Sequence, residues 1–126
     1  GKPIFGICVG LQILFAEGHE KGTCAGLGYF SGVVDQLDAP VIPHIGWNNV
    51  SEASHIEYFS GVEDEFFYFV HSYHWLSQQT NDVLCETNYD YTFTSAVEKE
   101  NIFGVQFHPE KSHDAGQQML KNFIQL

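Results

Sequence analysis

The chain has 126 residues, 44% of them apolar and 11 of them Phe, which is enough for one packed domain and argues against disorder. Five basic residues against 16 carboxylates give a formal charge of -11, so the chain has little basic surface to offer a duplex or a polyphosphate. No apolar run nears the ~20 residues a membrane helix needs, and Gly1-Lys2-Pro3 does not open a signal peptide.

In chain order, residues 3–8 read as a buried strand. Residues 10–17 read as a helix with Leu11, Leu14 and Phe15 on one face. Gly18 and the 22–28 region break it. Strand signals follow at 29–35 and 44–50, and Phe66-Phe67-Tyr68-Phe69-Val70 predicts a buried aromatic strand. Two more strands fit 83–88 and 91–98, joined around Asn88-Tyr89-Asp90. Ile102 to Phe107 is an apolar strand stopped by Pro109. Met119, Leu120, Phe123 and Ile124 recur at helical spacing over 113–126, with Ser112 or Asp114 as cap. No repeat or linker divides the chain, so residues 1–126 read as a single domain.

Two stretches carry chemistry. Gly6-Ile7-Cys8-Val9-Gly10 has the layout of a nucleophile elbow: strand, strained turn, helix, with a reactive side chain at the turn. The glycines are expected where a Cβ would clash, and the helix N-terminus is expected to lower the thiol pKa. Gln106-Phe107-His108-Pro109-Glu110 is the second. Residues two apart on an extended chain share a face, so Glu110 can orient the His108 imidazole. Together the two motifs describe a Cys-His-Glu triad. The competing reading of Cys8 is a packed core thiol. Cys24 and Cys85 are expected to be core thiols, and His44, His55, His74 and His113 to be surface or hydrogen-bonded histidines. An odd cysteine count argues against a disulfide framework and for a reducing cytoplasm. No Cys-x-x-Cys pair exists, and His71 and His74 are expected on opposite faces of a strand, so no metal site is expected.

Gly-Ile-Cys-Val-Gly-Leu-Gln at 6–12 and Gln-Phe-His-Pro-Glu-Lys-Ser at 106–112 resemble the class I, triad-type glutamine amidotransferases. Three further segments, Pro43-His44-Ile45-Gly46-Trp47-Asn48, Phe69-Val70-His71-Ser72-Tyr73 and Lys111-Ser112, look like the glutaminase subunit of imidazole glycerol phosphate synthase, in histidine biosynthesis. The resemblance runs over essentially the whole chain. It implies an α/β fold, the C-terminal part of a doubly wound, mixed-sheet, flavodoxin-like domain. By the same resemblance Cys8 would be the nucleophile, His108 the general base and acid, Glu110 its orienter, and the Val9 N–H an oxyanion donor. Gly10, Gln12, Glu20, Ser72 and Tyr73 would hold the glutamine substrate. Trp47, Tyr68 and Lys111 would face a barrel-shaped cyclase partner that receives the ammonia. No cofactor is implied. For Trp47 a half-buried core position competes with the interface reading.

Family members carry strands and helices ahead of the elbow, including a second oxyanion donor. The resemblance therefore implies an N-terminally truncated domain with little or no activity alone and an unpaired edge at strand 3–8 that invites self-association. Two rival functions stand beside the glutaminase: a different amidotransferase subunit or γ-glutamyl hydrolase, and an inactive amidotransferase-like module kept for partner binding.

Overall fold

A computed structural model describes residues 2–52, 57–62, 65–76 and 81–125; His55 lies outside them. Strand β1 (Ile4–Ile7) runs through the turn at Cys8 into a single helical turn, α1 (Val9–Gln12). Short strands β2 (Phe15–Gly18) and β3 (Cys24–Ala25) come next, followed by β4 (Phe30–Gln36), β5 (His44–Asn49) and β6 (Ser51–Glu52). The aromatic strand is β7 (Phe66–His71), and β8 (Tyr73–Trp75) follows after one residue. A hairpin of β9 (Val83–Tyr89) and β10 (Tyr91–Lys99) leads to β11 (Ile102–Val105), a 3-10 turn at Pro109–Lys111, and helix α2 (His113–Ile124).

These form three sheets. The largest has the order β1-β11-β10-β9-β6; β1 and β11 are parallel, and the remaining neighbours are antiparallel. A second sheet has the order β3-β2-β4-β8, and β5 pairs with β7 in a third. This is a mixed α/β fold. Among the described residues no helix is long and apolar enough to cross a membrane.

The period-2 alternation of β11 explains how the large sheet is covered on both sides. Phe103 and Val105 enter one core with Phe59, Phe67, Phe69, Phe107 and Met119 of α2. Ile102 enters the other, with Leu11, Leu14, Phe15, Phe30 and Trp75. Aromatic stacking ties the first core together: Phe5 lies 4.8 Å from both Phe103 and Phe123, and Tyr58 stacks on Phe103 at 3.8 Å.

Three local expectations fail. The 10–17 helix is only one turn long, because Phe15 leaves it to pair in parallel with Phe30 of β4; Leu11, Leu14 and Phe15 are buried all the same. A helix and a strand can bury the same apolar triplet, so periodicity over so short a stretch could not separate them. Strand β1 is not buried throughout: it lies at a sheet edge, with Gly6 its one buried residue and Ile4 exposed. Cys24, expected in the core, is exposed, whereas Cys85 is fully buried as expected.

Candidate active site

The site grows from the parallel pairing of β1 with β11. Ile7 lies opposite Val105, and the Cys8 N–H donates to the Val105 carbonyl at 2.8 Å. The residues just past both strand ends are thereby set side by side: Cys8 after β1, and Gln106 to His108 after β11. At Cys8 the backbone turns with φ 54° and ψ -105°, a conformation a non-glycine residue holds only under strain of about 1–3 kcal/mol.

Gly6 permits this turn. A Cβ there would stand 2.6 Å from the Gly10 carbonyl oxygen and 3.0 Å from the Leu11 nitrogen, so only glycine lets α1 close onto β1. At Gly104 on β11 a Cβ would meet only side-chain atoms, Leu11 Cδ1 at 2.5 Å, so the Leu11 rotamer rather than the backbone would have to give. Gly10 does not fit the steric expectation: a Cβ there meets nothing within 4 Å.

His108 Nδ1 and Glu110 Oε2 are 2.7 Å apart, the imidazole largely covered and the carboxylate half exposed. The backbone of β7 fixes this turn. The His108 N–H donates to the Tyr68 carbonyl at 2.9 Å, the Tyr68 N–H donates to Ser112 Oγ at 2.9 Å, and Ser112 Oγ–H donates to the His108 carbonyl at 2.6 Å. Ser112 also occupies the N-cap position of α2 but makes no side-chain cap bond; its hydroxyl is spent on the turn.

The Cys8 thiol is largely buried. It donates to the Val70 carbonyl at 3.8 Å and accepts from Gln106 Nε2 at 3.7 Å. Burial pushes the thiol up from its ordinary value. The Val9 N–H and the Gln106 amide pull it down, Glu110 pushes it further up, and Lys111 lowers it. The expected net lowering by the helix N-terminus is therefore overturned: a one-turn helix has too few aligned peptides to outweigh desolvation.

The chain crosses from the β5–β7 sheet to the β4–β8 sheet at Ser72, and this crossing supplies the wall beside the elbow. The Tyr73 carbonyl accepts from Gln12 Nε2 at 3.1 Å and from His71 Nδ1 at 2.9 Å. Gln12 and Glu20 both line a cavity of about 200 Å³ with Val9, Ile13, His19 and Cys24. Gly10, Ser72 and Tyr73 do not line it. Trp47 and Tyr68 are cross-strand partners with ring centroids 5.8 Å apart; Trp47 is exposed and also stacks on His113, itself exposed, at 5.1 Å. Lys111 is exposed, one residue before Ser112.

His44 and His74 are buried and hydrogen-bonded. The expectation that His71 and His74 face opposite ways is overturned. The strand breaks at Ser72, and both rings pack against Phe93, at 5.2 and 5.8 Å. Each of their four ring nitrogens has a hydrogen-bond partner. Burial depresses His71 to about 3 and His44 to about 4, so both are neutral in the folded protein near neutrality.

The Val70 carbonyl, the Ser112 bridge and the Gln106 amide were not singled out in the sequence. Gln106 and Ser112 flank His108 within the second motif, which was the signal available.

The model of the family described as glutamine amidotransferase class-I matches residues 1–126. The chain belongs to that family. The fold agrees: a putative GMP synthase protein from Thermoplasma acidophilum superposes with a TM-score of 0.71 at 22% identity, covering 98% of this chain and 56% of that one. PurLQS from Thermotoga maritima gives 0.74 at 19% identity, covering 99% and 62%. In sequence the chain is similar to proteins named imidazole glycerol phosphate synthase subunit HisH. That of Wolinella succinogenes is 42% identical over all of this chain and 65% of its own length. That of Chromobacterium violaceum is 48% identical over 98% and 62%, and that of Pyrococcus furiosus 47% over 100% and 66%. The chain thus spans about three fifths to two thirds of the length of these relatives.

Proposed function

We propose that this chain provides the glutaminase centre of an enzyme that splits glutamine into glutamate and ammonia and passes the ammonia to a cyclase partner, in the synthesis of imidazole glycerol phosphate for histidine. The observation that carries the chemistry is the placement of Cys8 and the paired His108 and Glu110 at adjacent ends of two parallel strands. The subunit names of the relatives support the pathway.

In this reading His108 takes the Cys8 proton, and the thiolate sulfur attacks the side-chain amide carbon of glutamine. The oxyanion that forms is met by the Val9 N–H; such a donor is worth ~3 kcal/mol. The C–N bond breaks as His108 returns the proton to the leaving ammonia, and a glutamyl thioester remains. Water, deprotonated by His108, adds to the thioester, the C–S bond breaks, and glutamate leaves. The Glu110 carboxylate orients His108 and stabilises the imidazolium. In this reading Gln12 and Glu20, which line one cavity, hold the amino-acid head group together with Gly10, Ser72 and Tyr73.

An exposed apolar face supports the partner reading. Ile45, Trp47 and Phe66 are all exposed, and the pairing sets Ile45 opposite Val70 and Trp47 opposite Tyr68. Free thiols at Cys8, Cys24 and Cys85 suit a reducing cytoplasm. The test is glutamate release by the intact protein with and without a co-expressed barrel-type cyclase. We expect turnover that rises with the partner and is abolished by Cys8→Ala. Full turnover in Cys8→Ala would overturn the reading.

A further inference from the structure

The chemistry above leaves the Gln106 side chain unused, although it is fully buried and touches the sulfur. Its backbone is already fixed by an N–H bond to the Ser95 carbonyl at 2.9 Å, so the side chain is not needed to place the strand end. Its Oε1 has no hydrogen-bond partner among the described residues. A buried amide oxygen without a partner is destabilising, and an apolar residue of similar volume would avoid that penalty. A polar side chain kept under such a penalty against a reactive sulfur calls for a role at that sulfur.

The second observation concerns the donors around Cys8. The thiol is buried beside the Val70 carbonyl, which can only accept, so it stabilises the S–H form. Two N–H groups favour the thiolate: the Val9 backbone and the Gln106 amide. During attack the Val9 N–H is required at the carbonyl oxygen of the substrate. Gln106 is then the donor left on the sulfur.

We propose that Gln106 is a further catalytic residue, whose side-chain N–H stabilises the Cys8 thiolate before attack and again when the C–S bond of the thioester breaks and the electron pair returns to sulfur. This rests on the reading of Cys8 as the nucleophile. The charged groups acting on the sulfur are Glu110 and Lys111 on the 3-10 turn; His108 is paired with Glu110, and His71 follows Val70, whose carbonyl meets the thiol. His71 is held neutral by burial, and none of these groups is altered by a change at Gln106.

The experiment follows Cys8 alkylation by iodoacetamide against pH in the intact protein, read by mass spectrometry. Gln106→Met fills the same space without a donor. Its alkylation midpoint should move up by about one pH unit, with about tenfold slower alkylation near neutrality. A midpoint that stays or falls overturns the proposal. In the unaltered protein, the Gln106 side-chain amide resonance should shift with the same midpoint as alkylation; a resonance that does not move across that range also overturns it. A glutamine-mimicking electrophile separates this from the parent reading. If that reagent labels Cys8 but Gln106→Met leaves the midpoint unchanged, the role of Gln106 alone is lost. If it never labels Cys8, the glutaminase reading fails, and the alkylation midpoint still decides whether Gln106 acts on the thiol.

Discussion

Replacing Gly6 by Ala tests whether the elbow depends on close contact between β1 and α1. The added Cβ would lie 2.6 Å from the Gly10 oxygen, 2.8 Å from the Gly10 carbonyl carbon and 3.0 Å from the Leu11 nitrogen. All three are backbone atoms, so no rotamer change relieves the clash. Reaching an ordinary van der Waals contact requires strand and helical turn to part by about 0.8 Å. Overpacking of this kind destabilises by about 1–3 kcal/mol, which for a domain of this size lowers Tm by roughly 4–10 °C. The same displacement moves the Val9 N–H relative to Cys8, and misplacement near 1 Å costs on the order of 10²-fold in rate. Thermal unfolding and steady-state glutaminase kinetics on the intact protein read both effects, with kcat expected to fall more than KM rises. Gly10→Ala is the control: its Cβ meets nothing within 4 Å, so Tm should hold or rise slightly. A Gly6→Ala protein within about 1 °C of the parent, at unchanged kcat, would refute the reasoning.

Ser112→Ala removes the hydroxyl that accepts from Tyr68 N–H and donates to the His108 carbonyl. With Ser112 buried, stability should fall by about 1–3 kcal/mol in urea unfolding, and Ser112→Thr should recover part of it. His71 makes stability depend on pH. Its folded value of about 3 lies below the ordinary 6.5, so the unfolded chain binds the proton first, and stability present above pH 6.5 is lost as pH falls toward 3. By pH 5 the loss from this group is about 2 kcal/mol, and His71→Gln should flatten that part of the urea-midpoint profile; an unchanged profile counts against the neutral buried imidazole. In the native protein Cys24 should be alkylated quickly and Cys85 only after unfolding, as peptide mapping will read; fast native labelling of Cys85 would contradict its burial.

Long apolar patterns were legible in the sequence. Phe66–His71, the β9–β10 hairpin, β11 and α2 all lie where periodicity set them, within a residue or two at most ends. The elbow and the His108–Glu110 contact were legible because each is local: a turn between near neighbours, and two side chains two apart. What was not legible depends on pairing across long separations. Phe15 becomes a strand residue because of β4, Cys24 is exposed because its strand is a two-residue edge, and Ser112 bonds Tyr68, 44 positions away. The direction of the Cys8 shift had the same origin. The sequence carried the helix start, but the burial that outweighs it comes from tertiary packing around the thiol, where Val70 and Gln106, distant in the chain, meet the sulfur.

The central claim is that Cys8 is a nucleophile for a glutamine side chain. The direct measurement is covalent labelling of the intact protein by a glutamine-mimicking electrophile, followed by peptide mapping. The account predicts one adduct, on Cys8, whose formation is slowed by glutamine and nearly lost in His108→Ala. An adduct confined to the exposed Cys24, or labelling of Cys8 that glutamine does not slow, would contradict it.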